Sequence, residues 1–544
     1  MSPSSSLNSN RADCTADAGD LEKVSEKGCE NSASDKQYPS MRVVVPTMIC
    51  ISLAFFLAAL DRTIVGVAVP AITNDFQSFN DISWYQAAFT LTNCVFQLPM
   101  GKIYKFFPAK WTIVTNVVLF EIGSIICASA PSSIAFILGR AITGIGAAGI
   151  VVGAQVIVRD LLPLEKRPKY QGFLGATFGL SSILGPLVGG AFTTNVSWRW
   201  CFWISVPIGG ISLAGLMLLL PRPKSSKKLE GSALEVLKRF DPIGNLFLFP
   251  GVICILLALQ WGGVLYTWRD ARIITLLVLG SVLLVGFAAV QVWIQENGTI
   301  PPRIIQQRTI ASGTIVSLGI GGVLVISGFY LPIWFQAIQG LSAGSAGIRL
   351  LPYFLSTVIF TIATGIIISR IGYYTPVLVI GCAISMVGTG LLTTFRTNTT
   401  TGEWIGYQIV LGASLGLSLQ QPFTAAQTVL ADEDVPTGVT ILTFTQSLGA
   451  TVFVSASQAI LSHTLSSRHS ESLPGFDASV VARTGVTDLR NMVAQSQQSV
   501  LFEAYNSGIV NVFFCALAAA ALTMIASLFF EWKTVRKQPE GASN

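Results

Sequence analysis

GATFGLSSILGPLVGG, residues 175 to 190, decides the fold, because five glycines and an internal proline in sixteen residues are incompatible with an ordinary soluble helix. Its flanks resolve the conflict. From Tyr170 to Phe192 the chain stays apolar, and no charge intervenes between Gln171 and Arg199. At ~1.5 Å per residue such a stretch crosses ~30 Å of hydrocarbon as one helix. Gly175 and Gly179, Gly185 and Gly189, with Ser182, Pro186 and Gly190 among them, put small residues on adjoining faces where another backbone can approach closely. Pro186 removes one backbone donor and bends the helix. On spacing alone, generic small-residue packing explains the stretch equally well.

The rest of the chain agrees with a membrane setting. Of 544 residues, 51% are hydrophobic and 11% charged, and the mean hydropathy is +0.62, which is too apolar for a soluble multidomain protein. The net charge of +6 resides in short loops between apolar runs, where it sets topology and gives no nucleic-acid signal. Nine cysteines form no CxxC pair and the two histidines, His463 and His469, share one polar loop. No disulfide framework, metal site or His-based intramembrane enzyme is therefore expected. No Walker motif is present, so ATP is not the expected energy source.

Apolar windows at 43–71, 82–100, 111–130, 133–153, 170–192 and 200–220 form an N-terminal six-helix half (43–220) after a polar, cytosolic tail read as disordered (1–42). A basic linker (221–242) leads to two inserted windows, 243–263 and 273–294, in a region of 243–295. A C-terminal six-helix half (309–530) has windows at 309–335, 346–368, 375–395, 404–423, 437–461 and 508–530, with an outer loop 462–507 and a cytosolic tail 531–544. The expected fold is all-α with fourteen transmembrane helices. Basic residues concentrate in the loops this count places inside, among them Lys102, Lys105, Arg159, Arg167, Arg303 and Arg370, and so both termini are placed in the cytosol. One inner loop, Ala431 to Thr437, departs by carrying Asp432, Glu433 and Asp434 without a base. Sequons at Asn398 and Asn195 fall outside and Asn398 is favoured as a glycan acceptor; Asn297 falls inside.

Five charged residues interrupt the windows. Asp61 and Arg62 break the first, and a carboxylate there costs ~2.5–3.5 kcal/mol on insertion scales. Either the helix ends at Leu60 and Asp61 meets outer water, or Asp61 faces a cavity and functions there. Arg62 is expected to reach the outer headgroups. Arg140 lies in the fourth window and either ties backbone carbonyls or holds a neighbouring carboxylate ionised. Glu121, near the middle of the third, is neutral without a partner and is a second proton-site candidate. Arg349 is expected to snorkel. Gln97, Gln155, Gln336, Gln420, Gln421 and Gln446 are candidate cavity groups, with Trp84, Tyr85, Phe335 and Phe444 as apolar walls.

These runs together carry a resemblance. Gly179 to Gly190 resembles the antiporter motif of the fifth helix of the major facilitator superfamily, which implies that Gly179, Gly185, Pro186, Gly189 and Gly190 seal the pathway and permit rocking. Leu60-Asp-Arg-Thr-Ile-Val-Gly-Val-Ala-Val-Pro resembles the first-helix signature of its fourteen-helix drug:proton antiporters, departing at Gly66. Leu138-Gly-Arg-Ala-Ile-Thr-Gly-Ile-Gly resembles the fourth-helix motif, whose arginine is associated with proton transfer. Gly101, Lys102 and Lys105 in the first half, and Gly365, Arg370 and Gly372 in the second, resemble the loop motif between helices; both copies lack its aspartate, with Lys105 and Ser369 in that place. The resemblance implies two six-helix halves plus two extra central helices, and a plasma-membrane pump like the fungal exporters of toxins, secondary metabolites or drugs. It would couple a small-molecule substrate to protons through Asp61, Arg140 and Glu121, with the proton gradient as energy source and no cofactor. A vacuolar or vesicle membrane, or an importer such as a siderophore:proton symporter, is the alternative.

Overall fold

The computed structural model describes residues 38–78, 81–221, 239–263, 265–472 and 498–536; the terminal tails, most of the basic linker and most of the expected outer loop lie outside them. Helices account for nearly all of it. The N-terminal half comprises α1 (Met41–Phe76), α2 (Ile82–Phe106), α3 (Ala109–Ser129), α4 (Ser133–Leu161), α5 (Arg167–Asn195) and α6 (Ser205–Leu219). The inserted pair is α7 (Pro242–Trp261) and α8 (Ala271–Ile294). The C-terminal half comprises α9 (Arg308–Gln339), α10 (Leu351–Ile371), α11 (Thr375–Leu392), α12 (Thr401–Ser418), α13 (Gln421–Val429), α14 (Val435–Ser472) and α15 (Gln498–Ser527).

Among the described residues, twelve helices are long and apolar enough to cross a membrane. α2 and α12 are outside that set although they have 25 and 18 residues, because each brings a more polar surface into the bundle, Asn93 and Gln97 on α2, Gln408 and Ser414 on α12. α1 runs unbroken for 36 residues through Asp61, so it does not end at Leu60. Polar caps fix several starts: Asp241 accepts from Gly244 N at 2.7 Å, and Thr400 and Glu403 form a capping box.

Each half has its own apolar core. In the C-terminal half, Trp334 packs at a tilt on Phe395 at 4.6 Å and Phe335 meets Trp404 edge to face at 5.0 Å. The inserted pair leans on α2 through Phe96–Phe249 and Trp84–Trp261, at 5.3 and 5.9 Å. α8 leaves Val282, Val285 and Trp293 63–77% exposed, an apolar ridge suited to lipid. The end of the bundle where α1 begins and α15 finishes is called the basal end below.

Candidate functional site

Helices from both halves wall a central cavity of about 70 Å³. That space holds a few waters, well short of the ~300 Å³ or more of a typical ligand pocket. Phe55, Phe178 and Phe423 supply its apolar wall, and Gln155, Gln420 and Gln446 its amides. Gln155 donates to Gln420 at 3.2 Å and so joins the two halves. α12 and α13 are two pieces of one interrupted helix, and the break at Leu419 and Gln420 opens onto the cavity.

The aromatic wall was not legible in the sequence. Of the aromatics expected there, Trp84 packs on Trp261, Tyr85 on Phe136, Phe335 on Trp404, and Phe444 lies in a core patch with Trp84. Nothing in an apolar run distinguishes Phe178 from Phe173, since both are phenylalanines in a helix that is apolar all round.

Asp61 and Arg140 form a buried pair: Arg140 Nη1 donates to Asp61 Oδ2 at 2.6 Å, with the side chains 0% and 2% exposed. Arg140 Nε also donates to the Tyr85 carbonyl at 3.1 Å, and its guanidinium lies 4.6 Å from the Phe89 ring centroid. Asp61 therefore does not face the cavity, which corrects the expectation. The reason is helical geometry: adjacent residues point about 100° apart, so when Asp61 turns inward to α4, Arg62 turns to the cavity. Arg62 lines that cavity and does not reach the headgroups. One acceptor of Asp61, Oδ1, and one donor of Arg140, Nη2, remain unpartnered, so the pair is under-satisfied for a buried ion pair.

Glu121 lies elsewhere. Its carboxyl sits against Gly209 of α6, and neither oxygen has a hydrogen-bond partner. Arg349 bonds Gln339 and sits over Phe335 and Trp404 at 5.8 and 5.6 Å, where it staples α9 to α12.

The opening stretch of α5 has two faces. A side chain on Gly172 would meet the Thr361 carbonyl of α10 at 2.7 Å, one on Gly175 would meet Thr361 and Gln420 at 2.5 and 2.9 Å, and one on Gly179 would meet Val358 at 2.6 Å. These three seat the other half. Gly185 and Gly189 seat α1 instead, against Thr63 and Ile64. Pro186 faces Gly347, and Gly190 has nothing within 4 Å. The close contact between halves thus begins before the quoted motif and involves less of it than expected; Gly172 was missed because a single glycine at a helix start carries no pattern.

At the basal end the two loop motifs behave differently. Gly101 abuts Thr440 of α14, and Gly365 would place a side chain 2.6 Å from the Pro168 carbonyl, so each motif glycine permits close approach across the seam. Lys105 Nζ bonds Asp434 Oδ1 at 2.9 Å, and Arg303 bonds Asp434 Oδ2 at 2.8 Å and Glu296 at 3.0 Å. Arg159 reaches the Asp432 carbonyl at 2.6 Å. The acidic loop that broke the charge pattern is therefore the acceptor for Lys105 and Arg159 of the opposite half and for Arg303 of the segment before α9. Burial pushes the Asp434 carboxyl up, but the bonds from Lys105 and Arg303 outweigh it and hold the group below the usual aspartate value. Lys102 reaches the backbone carbonyls of Arg239 and Asn297, at 2.9 and 2.5 Å, and so ties α2 to both basal ends of the inserted pair. In the second copy, Gly372 has φ +91° and caps α10, while the Arg370 carbonyl accepts from Arg536. That copy anchors the segment after α15 and, among the described residues, makes no matching bridge.

Asn195 and Asn398 are both exposed at the far end. Asn195 ends α5 and spends its amide on the Ala191 carbonyl at 3.0 Å, whereas Asn398 stands in the loop before α12.

An all-helical bundle whose two halves share one cavity, with a charged pair beside it, is an architecture suited to a membrane transporter. The chain belongs to the Major Facilitator Superfamily, whose model matches residues 51–454. It is 46% identical over 91% of its length to an MFS-type efflux pump, MFS1, of Arthroderma benhamiae, covering 92% of that protein. It is 42% identical to the rubrofusarin-specific efflux pump aurT of Gibberella zeae, over 93% of this chain and 92% of that one. Among solved structures, a proton:xylose symporter, XylE, shares the fold with a TM-score of 0.56 at 15% identity, covering 90% of this chain and 95% of that one.

Proposed function

We propose that this protein is a proton-coupled efflux pump that exports small, largely apolar molecules across the plasma membrane by alternating access. Export as the direction is supported by relatives named as efflux pumps at more than 40% identity over nearly the whole chain. In this reading α2 and α12 also cross the bilayer, giving fourteen spans, the basal end faces the cytosol, and Asn398 faces outside. No cofactor is needed beyond the proton gradient.

The observation that carries the coupling is the buried Asp61–Arg140 pair at 2.6 Å, one residue from the cavity. A proton on Asp61 removes the charge that holds Arg140 and frees both to rearrange, so protonation and helix packing are linked. Loss of that bond is felt by α1, which seats α5 through Thr63 and Ile64, and α5 in turn seats the other half. Asp61, Arg140 and this seam form one mechanical path. Inverted or right-side-out vesicles with an imposed pH gradient test it: substrate should accumulate against its own gradient only when protons run the opposite way. Accumulation independent of the pH gradient, or driven in the same direction as the protons, would overturn the reading.

A further inference from the structure

The export reading leaves Arg62 unexplained. Arg62, on α1, lines the central cavity, and among the described residues no carboxylate pairs with it and no hydrogen bond reaches it. Its neighbour Asp61 is committed to Arg140, and Glu121 is turned away onto Gly209. The other polar groups of the cavity, among them Gln155, Gln420, Gln446 and Thr443, are neutral. An arginine keeps its proton at any working pH, so the cavity holds a permanent positive charge in the middle of an apolar bundle. Such a charge is costly and is ordinarily paired. The cavity wall adds to it: α13 begins at Gln421, its N-cap Gln420 lines the cavity, and the first amides of a helix carry a partial positive charge.

We propose that Arg62 anchors an anionic oxygen of the substrate, so that the transported compounds have an aromatic or apolar body carrying one ionised acid group. The body packs on Phe55, Phe178 and Phe423, and the acid takes the place of the missing counter-charge, its planar oxygens matching the guanidinium fork. The neutral amides of the C-terminal half then orient the remainder without competing for the cation. This inference deepens the export reading and rests on it for the identity of the cavity as the transport site.

The test measures binding and not transport, so that the two readings fail separately. Full-length protein in lipid nanodiscs is titrated with pyrenebutyrate and with its methyl ester, followed by quenching of tryptophan fluorescence. The wild type should bind the acid about tenfold to a hundredfold more tightly than the ester, the worth of a charge-assisted hydrogen bond. Arg62→Gln should bring the acid down to the affinity of the ester, and Arg62→Lys, which keeps the charge but not the fork, should restore part of the preference. Equal affinity of the wild type for acid and ester, no binding of the acid, or an acid preference that persists in Arg62→Gln would each overturn the proposal. An Arg62-dependent acid preference in a protein that fails the vesicle assay would sink the proton-coupled export reading and leave this one standing.

Discussion

The two halves furnish one cavity with different chemistry. The N-terminal half brings the charges: Arg62 in the cavity, Asp61 and Arg140 just behind it, Glu121 farther off. The C-terminal half offers Gln420, Gln446, Thr443 and Ser447 and puts no charged side chain on the wall. In the proposed reading the labour is divided, with energy coupling and the anchoring charge on one side and neutral recognition on the other. The largest test of that division sets one half against the other. Asp61→Asn keeps volume and hydrogen bonding but cannot exchange a proton, so uphill export in vesicles should fall by about a hundredfold or more, the scale of losing a coupled proton-transfer group. Gln446→Ala, on the opposite wall, should change transport only about twofold to fivefold, as expected for one neutral hydrogen bond. Comparable losses from both substitutions would erase the distinction.

The second test concerns the seam. Gly175 lies where α5 meets α10 and Gln420, whereas Gly190 faces open space only four turns on. Gly175→Leu should leave the protein in the membrane yet lower transport about tenfold or more, because a large side chain props apart helices that pack backbone to backbone. Gly190→Leu should be transported and expressed like wild type. Gly189→Leu, which would press on Ile64 within the same half, should instead lower thermal stability. A Gly190→Leu loss equal to that of Gly175→Leu would show that the whole stretch acts as one unit, as the sequence suggested.

The third test moves to the basal bridge between the halves. Asp434→Asn removes the acceptor shared by Lys105 and Arg303 and should weaken closure at that end, raising the substrate KM about threefold to tenfold with little change in expression; exposed pairs are worth little and half-buried ones more. The paired exchange Lys105→Asp with Asp434→Lys should recover part of the loss. The pH dependence has a definite sign. Because the folded Asp434 carboxyl is held below its ordinary value, its contribution is present above that value and is lost only as pH falls through the depressed one. Between pH 5 and 8 the bridge should therefore be constant, and the proton dependence of transport in that window should survive in Asp434→Asn. If the substitution flattens the pH profile, the bridge and not the buried pair is the proton switch.

How much of this was legible follows from the physics of each feature. Apolar runs long enough to span a bilayer marked the helices, and an acid and a base interrupting such runs marked Asp61 and Arg140, since their insertion cost makes them conspicuous. Direction around a helix was not legible: α1 is apolar on every side, so no amphipathic stripe indicated that Asp61 turns inward and Arg62 toward the cavity. The acidic loop at Asp432 to Asp434 was visible as an anomaly, but its partners lie about 130 to 330 residues away and no local pattern connects them. The missing aspartate of the first loop motif suggested that a charge lock was lost; the structure places the carboxylate on the other half and the base, Lys105, in the motif.

The smallest effect expected concerns Glu121, and it tests whether charge in the N-terminal half is coupled merely by being buried. Both carboxyl oxygens lack partners, and the group rests on Gly209 of α6. A carboxyl with no hydrogen-bond partner holds nothing in place that Gln, close to it in size and polarity, would release. Glu121→Gln should therefore export within about twofold of wild type, a change below ~0.5 kcal/mol, and keep the same pH profile. Gly209→Ala, by contrast, would press a methyl group into that carboxyl and should lower the thermal unfolding temperature by several degrees, the effect of about 1–3 kcal/mol of overpacking. If Glu121→Gln abolished uphill export while Asp61→Asn spared it, the proton path would run between α3 and α6, and the pair beside the cavity would be only a structural clamp.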